Sequence, residues 1–263
     1  MPTSSLLVLN GETVLVDCGL GVTQGLTEQG LKLAELRTII ITHLHSDHYL
    51  ELGPLLHTAW ASGLEVTVSV LGPQGLDSYW ENFLLSMQAD IDIRVADEGR
   101  PDLGDLIKIE VLEEHRSFQL GSLELRAIRN DHFPLADSFA LSLEGGGKRV
   151  VFSGDTAYLP SLAEFAKNAD VLVHEAMLEE ALEAVAKKAG NGDDRLLLHL
   201  RRAHCSAQDA GRAARDANIK CLALHHLIPS GHPDYPEEAW AKAVRAHWQG
   251  PLFIGRDGMR IDL

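Results

Sequence analysis

One short stretch, Thr42-His43-Leu44-His45-Ser46-Asp47-His48, constrains the fold of this chain more than any other. It follows an apolar run, Ile39-Ile40-Ile41, and precedes leucines at helical spacing, which predicts a strand, a tight turn and a helix. Imidazole and carboxyl groups placed directly after a buried strand are costly to bury unless something satisfies them. Divalent metals prefer such ligands, and one ion cannot easily take all four groups, so we expect two ions that share a water molecule. The alternative is a polar loop with surface histidines.

Composition places the chain among soluble globular proteins. It has 263 residues, of which 45% are hydrophobic and 23% charged, and no apolar stretch is long enough to span a membrane. No secretory signal is visible and the cysteines are scattered, so we expect a cytoplasmic protein with reduced thiols and no membrane partner. The net charge of −15 works against polyanions and makes nucleic acid an unlikely partner. We interpret the clustered arginines as a solvated helix face: Arg195, Arg201, Arg202, Arg212 and Arg215.

Apolar strands that end in His, Asp or Glu recur along the chain and alternate with helical segments. Asn10-Gly11 is a strong hairpin signal between the first two strands. The alternation predicts an α/β protein with two mixed sheets faced by helices, a four-layer αβ/βα sandwich. No linker divides the chain, so we expect a single domain over residues 1–263. The acidic, turn-rich segment 88–105 is predicted to be a mobile loop.

The motif His43-x-His45-x-Asp47-His48 resembles the signature of the metallo-β-lactamase superfamily, which has this four-layer fold. Within it, two further elements are similar to the tRNase Z and arylsulfatase-like branch: His174-Glu175-Ala176, and His204-Cys205-Ser206-Ala207 just before a helix. The resemblance covers nearly the whole chain. It is specific for the fold and a dinuclear site, and it says little about the substrate.

The resemblance implies a role for each matching residue. His43, His45 and His132 would bind one metal, Asp47, His48 and His226 the other, and Asp155 would bridge them. The expected ions are zinc, with manganese or iron as alternatives. Asp47 would also orient the nucleophile, and the pair Glu175 and His204 would transfer protons. Without the resemblance we would interpret Glu175 as a helix-capping residue and His204 as a surface residue.

The sequence leaves undecided the roles of three residues or groups of residues. Strand alternation lets only one of His225 and His226 face the site, and the branch pattern favours His226. Asp17 could support the metal turn or merely cap a turn. The remaining histidines are predicted to lie on the surface or in packing contacts, with His232 at a pocket rim: His57, His115, His199, His232 and His247.

The predicted function is that of a dinuclear-metal hydrolase acting on a small-molecule ester. Phosphodiesterase or arylsulfatase-like activity is favoured, and lactone or carboxylic-ester hydrolysis is the alternative. Activity as a tRNA 3′-processing endonuclease ranks below these activities, because the acidic chain lacks the basic glycine- and proline-rich arm of tRNase Z. A metal-binding protein without activity is a further alternative. The chain starts near the second strand of the family pattern, so either its start is late or it lacks one edge strand. A missing strand would expose a sheet edge, which a homodimer would cover, and a homodimer is therefore expected.

Overall fold

The computed structural model describes residues 3–263, which form two compact units, one ending at Leu112 and the other spanning Glu113–Leu263. Each unit contains one mixed sheet flanked by helices, as the sequence predicts. The expectation of a single domain stays a prediction.

The first unit is built on a five-stranded sheet. Its strands lie in chain order and are β1 (Ser5–Leu9), β2 (Glu12–Val16), β3 (Thr38–Ile40), β4 (Val68–Gly72) and β5 (Ile107–Val111). The β1–β2 hairpin turns at Asn10 and Gly11, which both have positive φ, as a tight two-residue hairpin requires. The remaining neighbours, β2 to β5, pair in parallel.

Five helices belong to this unit: α1 (Val22–Glu28), α2 (Ser46–Tyr49), α3 (Leu52–Ala61), α4 (Leu76–Glu98) and α5 (Leu103–Leu106). Helix α3 buries Leu55, Leu56 and Trp60 in the same apolar cluster as Ile39 and Val70 of the sheet. The prediction of a mobile loop over 88–105 is wrong, because most of that segment continues α4. Its acidic residues lie on the exposed side of the helix, while Ile91 is buried.

The second unit is built on a seven-stranded sheet. Its strands are β6 (Ser117–Leu120), β7 (Leu123–Arg129), β8 (Phe139–Gly145), β9 (Lys148–Phe152), β10 (Val171–Met177), β11 (Cys221–Ile228) and β12 (Leu252–Ile254), in the order β12-β11-β10-β9-β8-β7-β6. Strands β6 to β9 form an antiparallel meander, and β9 to β12 pair in parallel. Strand β7 therefore runs in the same direction as β9, β10 and β11, and the carboxyl ends of these four strands lie at one edge.

The helices of the second unit are α6 (Pro160–Phe165), α7 (Leu182–Ala189), α8 (Arg195–Ala203), α9 (Ala207–Asp216) and α10 (Glu237–Val244). Buried alanines of α9 pack with Leu222 and Leu224 of β11 and with Trp240 of α10 in one apolar cluster. Ser206 caps α9, since its hydroxyl accepts a hydrogen bond from the Asp209 amide. Because of this cap, α8 and α9 do not form one continuous helix, and His204 lies in the bend between them.

Candidate metal-binding clusters

The turn after β3 gathers imidazole rings within the first unit. His43 is fully buried after the apolar strand, and His48 is equally buried in α2. The ring centroids of His43 and His48 lie 3.9 Å apart, and those of His43 and His45 lie 4.9 Å apart. Asp47 occupies the first turn of α2. The four predicted ligands of this unit thus come from six consecutive positions, where a strand changes into a helix.

Asp17 holds this turn in place. Its buried carboxylate accepts hydrogen bonds from the Thr42 amide at 2.8 Å, from the Thr42 hydroxyl at 2.9 Å and from Nδ1 of His48 at 2.8 Å. Because the Thr42 hydroxyl proton is directed to Asp17, Nδ1 of His43, 3.1 Å away, donates to the Thr42 oxygen. Both imidazoles therefore carry a proton on Nδ1 and present Nε2 as the ligand atom. Asp17 supports the cluster, which settles one question that the sequence left open.

Gly19 lets the backbone pass close behind the turn. Its amide donates to Thr3, whose own amide donates to the Asp47 carbonyl at 3.0 Å. A Cβ atom at position 19 would lie less than 3.0 Å from backbone atoms of both Asp47 and Thr3. Only glycine fits there without moving the segment that carries Asp47.

The second cluster lies at the carboxyl edge of the seven-stranded sheet. His132 follows β7, Asp155 follows β9, and the ligand atoms of His132, Asp155 and His204 lie within 4.8 Å of one another. Nδ1 of His132 donates to the Ala203 carbonyl at 2.8 Å, so this imidazole also presents Nε2. Burial lowers the pKa of His132, which favours the neutral form that a metal ligand needs.

His226 joins this cluster through a β-bulge. The pairing of β10 with β11 passes from Glu175–His225 to Ala176–Leu227, so His226 is the extra residue, with a φ of 45°. Its Nε2 lies 3.5 Å from Oδ2 of Asp155. The bulge breaks the strand alternation by which only one of His225 and His226 was expected to face the site. It places His226 beside Asp155, and the role of His226 as a ligand stays a prediction.

Glu175 and His204 form a buried pair. Both oxygens of Glu175 lie within hydrogen-bond distance of Nδ1 of His204, at 3.1 and 3.0 Å, and the Thr156 amide donates to the same carboxylate. The ligand atoms of Glu175, His204 and His226 lie within 4.8 Å of one another. Interpreting Glu175 as a helix cap and His204 as a surface residue would therefore be wrong. The carboxylate holds His204 with its proton on Nδ1.

Two histidines have positions that their sequence context did not indicate. His174 is buried beside Glu175, donates from Nδ1 to the Glu175 carbonyl at 2.7 Å, and has its pKa lowered by burial to about 4. It is 1% exposed and is therefore a core residue. His199, predicted to be a surface or packing residue, has its ring centroid 6.2 Å from that of His132 and 5.9 Å from that of His204. The sequence feature that could have indicated this position of His199 is its amphipathic helix, which ends directly before His204.

The donor chemistry of both clusters fits divalent cations. Each combines neutral imidazole with carboxylate, and His48 and His132 are oriented by hydrogen bonds at Nδ1, the ring nitrogen opposite the proposed ligand atom, as is usual for metal ligands. Imidazole-rich sets suit zinc, copper, iron or nickel, and carboxylates extend the range to manganese. The clusters are therefore compatible with the predicted divalent metals, without selecting one of them.

Comparison with known structures shows the fold. The metallo-β-lactamase fold protein YhfI from Bacillus subtilis superposes with a TM-score of 0.71 at 21% identity and covers 98% of this chain and 90% of its own. Human tRNase Z, short form, gives a TM-score of 0.68 at 22% identity, with 99% and 92% covered. Zinc-bound PqqB from Methylobacterium extorquens gives 0.67 at 15% identity, with 99% and 87% covered. The predicted metallo-β-lactamase fold is confirmed.

Comparison with curated sequences corrects the predicted substrate and partner. Ribonuclease Z of Mycobacterium bovis is 27% identical over 99% of this chain and 91% of its own length, and that of Mycobacterium marinum is 28% identical over the same shares. The preference for a small-molecule ester over tRNA processing is contradicted by these relatives, as is the expectation that nucleic acid is an unlikely partner. Net charge is a poor guide to such a partner, because it sums over the whole surface while a polyanion would meet one face.

The relatives and structural neighbours support a metal-dependent hydrolase. None of the described helices is both long and apolar enough to cross a membrane. A family model described as "Anti-Pycsar protein Apyc1" matches residues 2–187, a range that includes the Thr42–His48 turn, His132, Asp155 and Glu175. This match spans well over half of the sequence, and the chain therefore belongs to the Anti-Pycsar protein Apyc1 family.

Proposed function

We propose that this protein is a metal-dependent phosphodiesterase that cleaves RNA, with precursor tRNA as its substrate. The observation that carries the proposal is the nearly full-length similarity to enzymes named ribonuclease Z, which covers the turn motif and the positions of the buried Glu175–His204 pair. Phosphodiester hydrolysis needs an activated water, charge stabilisation at the phosphoryl oxygens and a proton for the leaving oxygen.

The metal ligands are proposed to be the seven residues that the sequence predicts. They are His43, His45, Asp47 and His48 from the first unit and His132, Asp155 and His226 from the second. Divalent ions held there would polarise a phosphoryl oxygen and lower the pKa of the attacking water. We favour zinc, because the set is rich in imidazole and PqqB, a structural neighbour, binds zinc.

The Glu175–His204 pair is proposed to supply the proton for the leaving ribose oxygen. Glu175 fixes the imidazole by accepting from Nδ1 at 3.0 Å, so Nε2 is the atom that can pass a proton on. Water loses one proton as its oxygen bonds to phosphorus, the bond from phosphorus to the ribose oxygen breaks, and that oxygen takes a proton from Nε2 of the doubly protonated form of His204, which the proton released by the water restores. A general acid of this kind is worth about 10²- to 10⁴-fold in rate.

The test is cleavage of a precursor tRNA that carries a 3′ trailer, with product lengths read at nucleotide resolution. We expect zinc-loaded protein to release the trailer, Asp155→Ala to lose metal and activity together, and His204→Ala to keep its metal while losing at least 100-fold in rate. Metal content is measured by elemental analysis of each variant. Absence of cleavage with zinc, manganese and iron alike would refute the proposal.

A second candidate comes from the family match. The description of the matching model names an anti-Pycsar protein, so we propose as the alternative a role that opposes Pycsar. It is tested by co-expressing this chain, or its Asp155→Ala variant, with a Pycsar system. Loss of Pycsar activity with the wild type alone would favour this role, and equal Pycsar activity in both would exclude it.

A further inference from the structure

Phe133 and Arg202 form a stacked pair beside the second cluster. Phe133 directly follows His132 and is 44% exposed, and Arg202 lies two positions before His204 at the end of α8. The Cζ atom of Arg202 lies 3.2 Å from the centroid of the Phe133 ring. An arginine stacked on an aromatic face gives a flat cationic surface that suits planar, negatively charged ligands.

The pair is held in position by the cluster itself. The hydrogen bond from Nδ1 of His132 to the Ala203 carbonyl joins the loop of Phe133 to the helix of Arg202. The same loop is closed by backbone bonds from Leu135 to His132 at 2.9 Å and from Asn130 to Ser138 at 3.0 Å. The exposed pair and the buried cluster therefore share one rigid support, and a ligand on the pair is kept at a constant place relative to His132 and His204.

The charge around Arg202 also favours a phosphate ligand. Arg195 pairs with Asp193 and Arg129 pairs with Asp137. Neither Arg201 nor Arg202 makes an ion pair with any residue that the structure describes, and of the two only Arg202 stacks on an aromatic ring. In a chain with a net charge of −15, a guanidinium left without a carboxylate beside the cluster is well suited to a phosphate group.

We propose that the Phe133–Arg202 pair binds one nucleotide of the substrate. The exposed part of the Phe133 ring stacks on the base, and the Arg202 guanidinium contacts the phosphate. Base stacking on aromatic side chains tolerates any base, so the pair recognises a nucleotide without reading its identity. This inference rests on the proposed function, since it assigns residues that would position the RNA for cleavage.

Equilibrium binding tests the pair independently of catalysis. The probes are adenosine 5′-monophosphate and ribose 5-phosphate, which differ only in the base, and the method is isothermal titration calorimetry on the metal-containing protein. We expect Phe133→Leu and Phe133→Ala to weaken binding of adenosine 5′-monophosphate about tenfold and to leave ribose 5-phosphate within twofold. Arg202→Ala should weaken both probes. Phe133→Leu keeps an apolar side chain in the loop and guards against misfolding.

Arg201 provides the matched control, because it is the adjacent exposed arginine of α8 and has no aromatic partner among the described residues. Arg201→Ala should change the binding of either probe by less than twofold. Unchanged binding of adenosine 5′-monophosphate in both Phe133 variants, or equal weakening by Arg201→Ala and Arg202→Ala, would overturn the inference. Failure to cleave precursor tRNA would refute the proposed function and leave these binding results to decide on the pair.

Discussion

Replacing Asp17 with asparagine should lower metal affinity without touching a predicted ligand. The carboxylate accepts from the Thr42 amide on one oxygen and from Nδ1 of His48 on the other. An asparagine whose oxygen faces Thr42 turns its NH₂ group toward Nδ1 of His48. Two donors cannot face each other, so the His48 proton must move to Nε2, the atom that binds metal. The opposite amide orientation places the NH₂ group against the Thr42 amide, which is no better.

The magnitude follows from these contacts. Loss of a partner that orients a metal-bound histidine typically costs 10- to 100-fold in metal affinity, or about 1.4 to 2.7 kcal/mol. Loss of one hydrogen bond to a charged acceptor should also lower the free energy of unfolding by about 1.5 to 3 kcal/mol. Asp17→Asn keeps the side-chain volume, so we expect a folded protein with weakened metal binding.

The assay is competition between the protein and a zinc chelator of known affinity, combined with denaturant unfolding of the metal-free protein. Asp170→Asn is the matched control, because Asp170 is also buried and accepts from the Arg149 amide and Lys220, at the opposite end of β10 from Glu175. It should lower stability and leave zinc affinity unchanged. Wild-type zinc affinity in Asp17→Asn would refute the tautomer argument.

Three further predictions concern catalysis, packing and pH. The Glu175→Gln variant should keep its metal and lose about 10- to 100-fold in turnover, since the glutamine amide holds His204 less firmly than the carboxylate does. Unchanged turnover would contradict the role of Glu175 in positioning His204. Gly19→Ala should destabilise the fold by about 1 to 3 kcal/mol, because the added Cβ atom meets the backbone. Gly25→Ala lies in an open helical position and should stabilise the fold by up to about 1 kcal/mol. Equal melting temperatures of the two variants would contradict this. Burial lowers the pKa of His174 from 6.5 to about 4, so its neutral form contributes fully above pH 6.5. That contribution, roughly 3 kcal/mol, is lost as the pH falls toward 4, and His174→Gln should flatten the decline in urea midpoints.

Much of the candidate site could be predicted from the sequence because its proposed ligands lie at the ends of apolar strands. The carboxyl ends of strands that run in the same direction meet at one sheet edge, so the polar residues after β7 and β9 and in the last part of β10 were expected together. His132, Asp155 and Glu175 are found in this arrangement. The local sequence pattern gave a wrong prediction for residues 88–105. The acidic residues of this segment predict a loop, but they cover the outer face of a long helix.

Other features depend on contacts between residues far apart in the chain, which no local pattern encodes. Three contacts join separate segments of the chain. They are the hydrogen bond between Asp17 and His48, the stacking of Arg202 on Phe133, and the ring contact of His199 with His132. The sequence by itself determined which residues are proposed to carry the chemistry, because ligand type and strand-end position are local properties. Only the tertiary structure decided which nitrogen each imidazole presents and why His226 lies beside Asp155, because hydrogen-bond partners and a one-residue bulge are properties of the folded sheet.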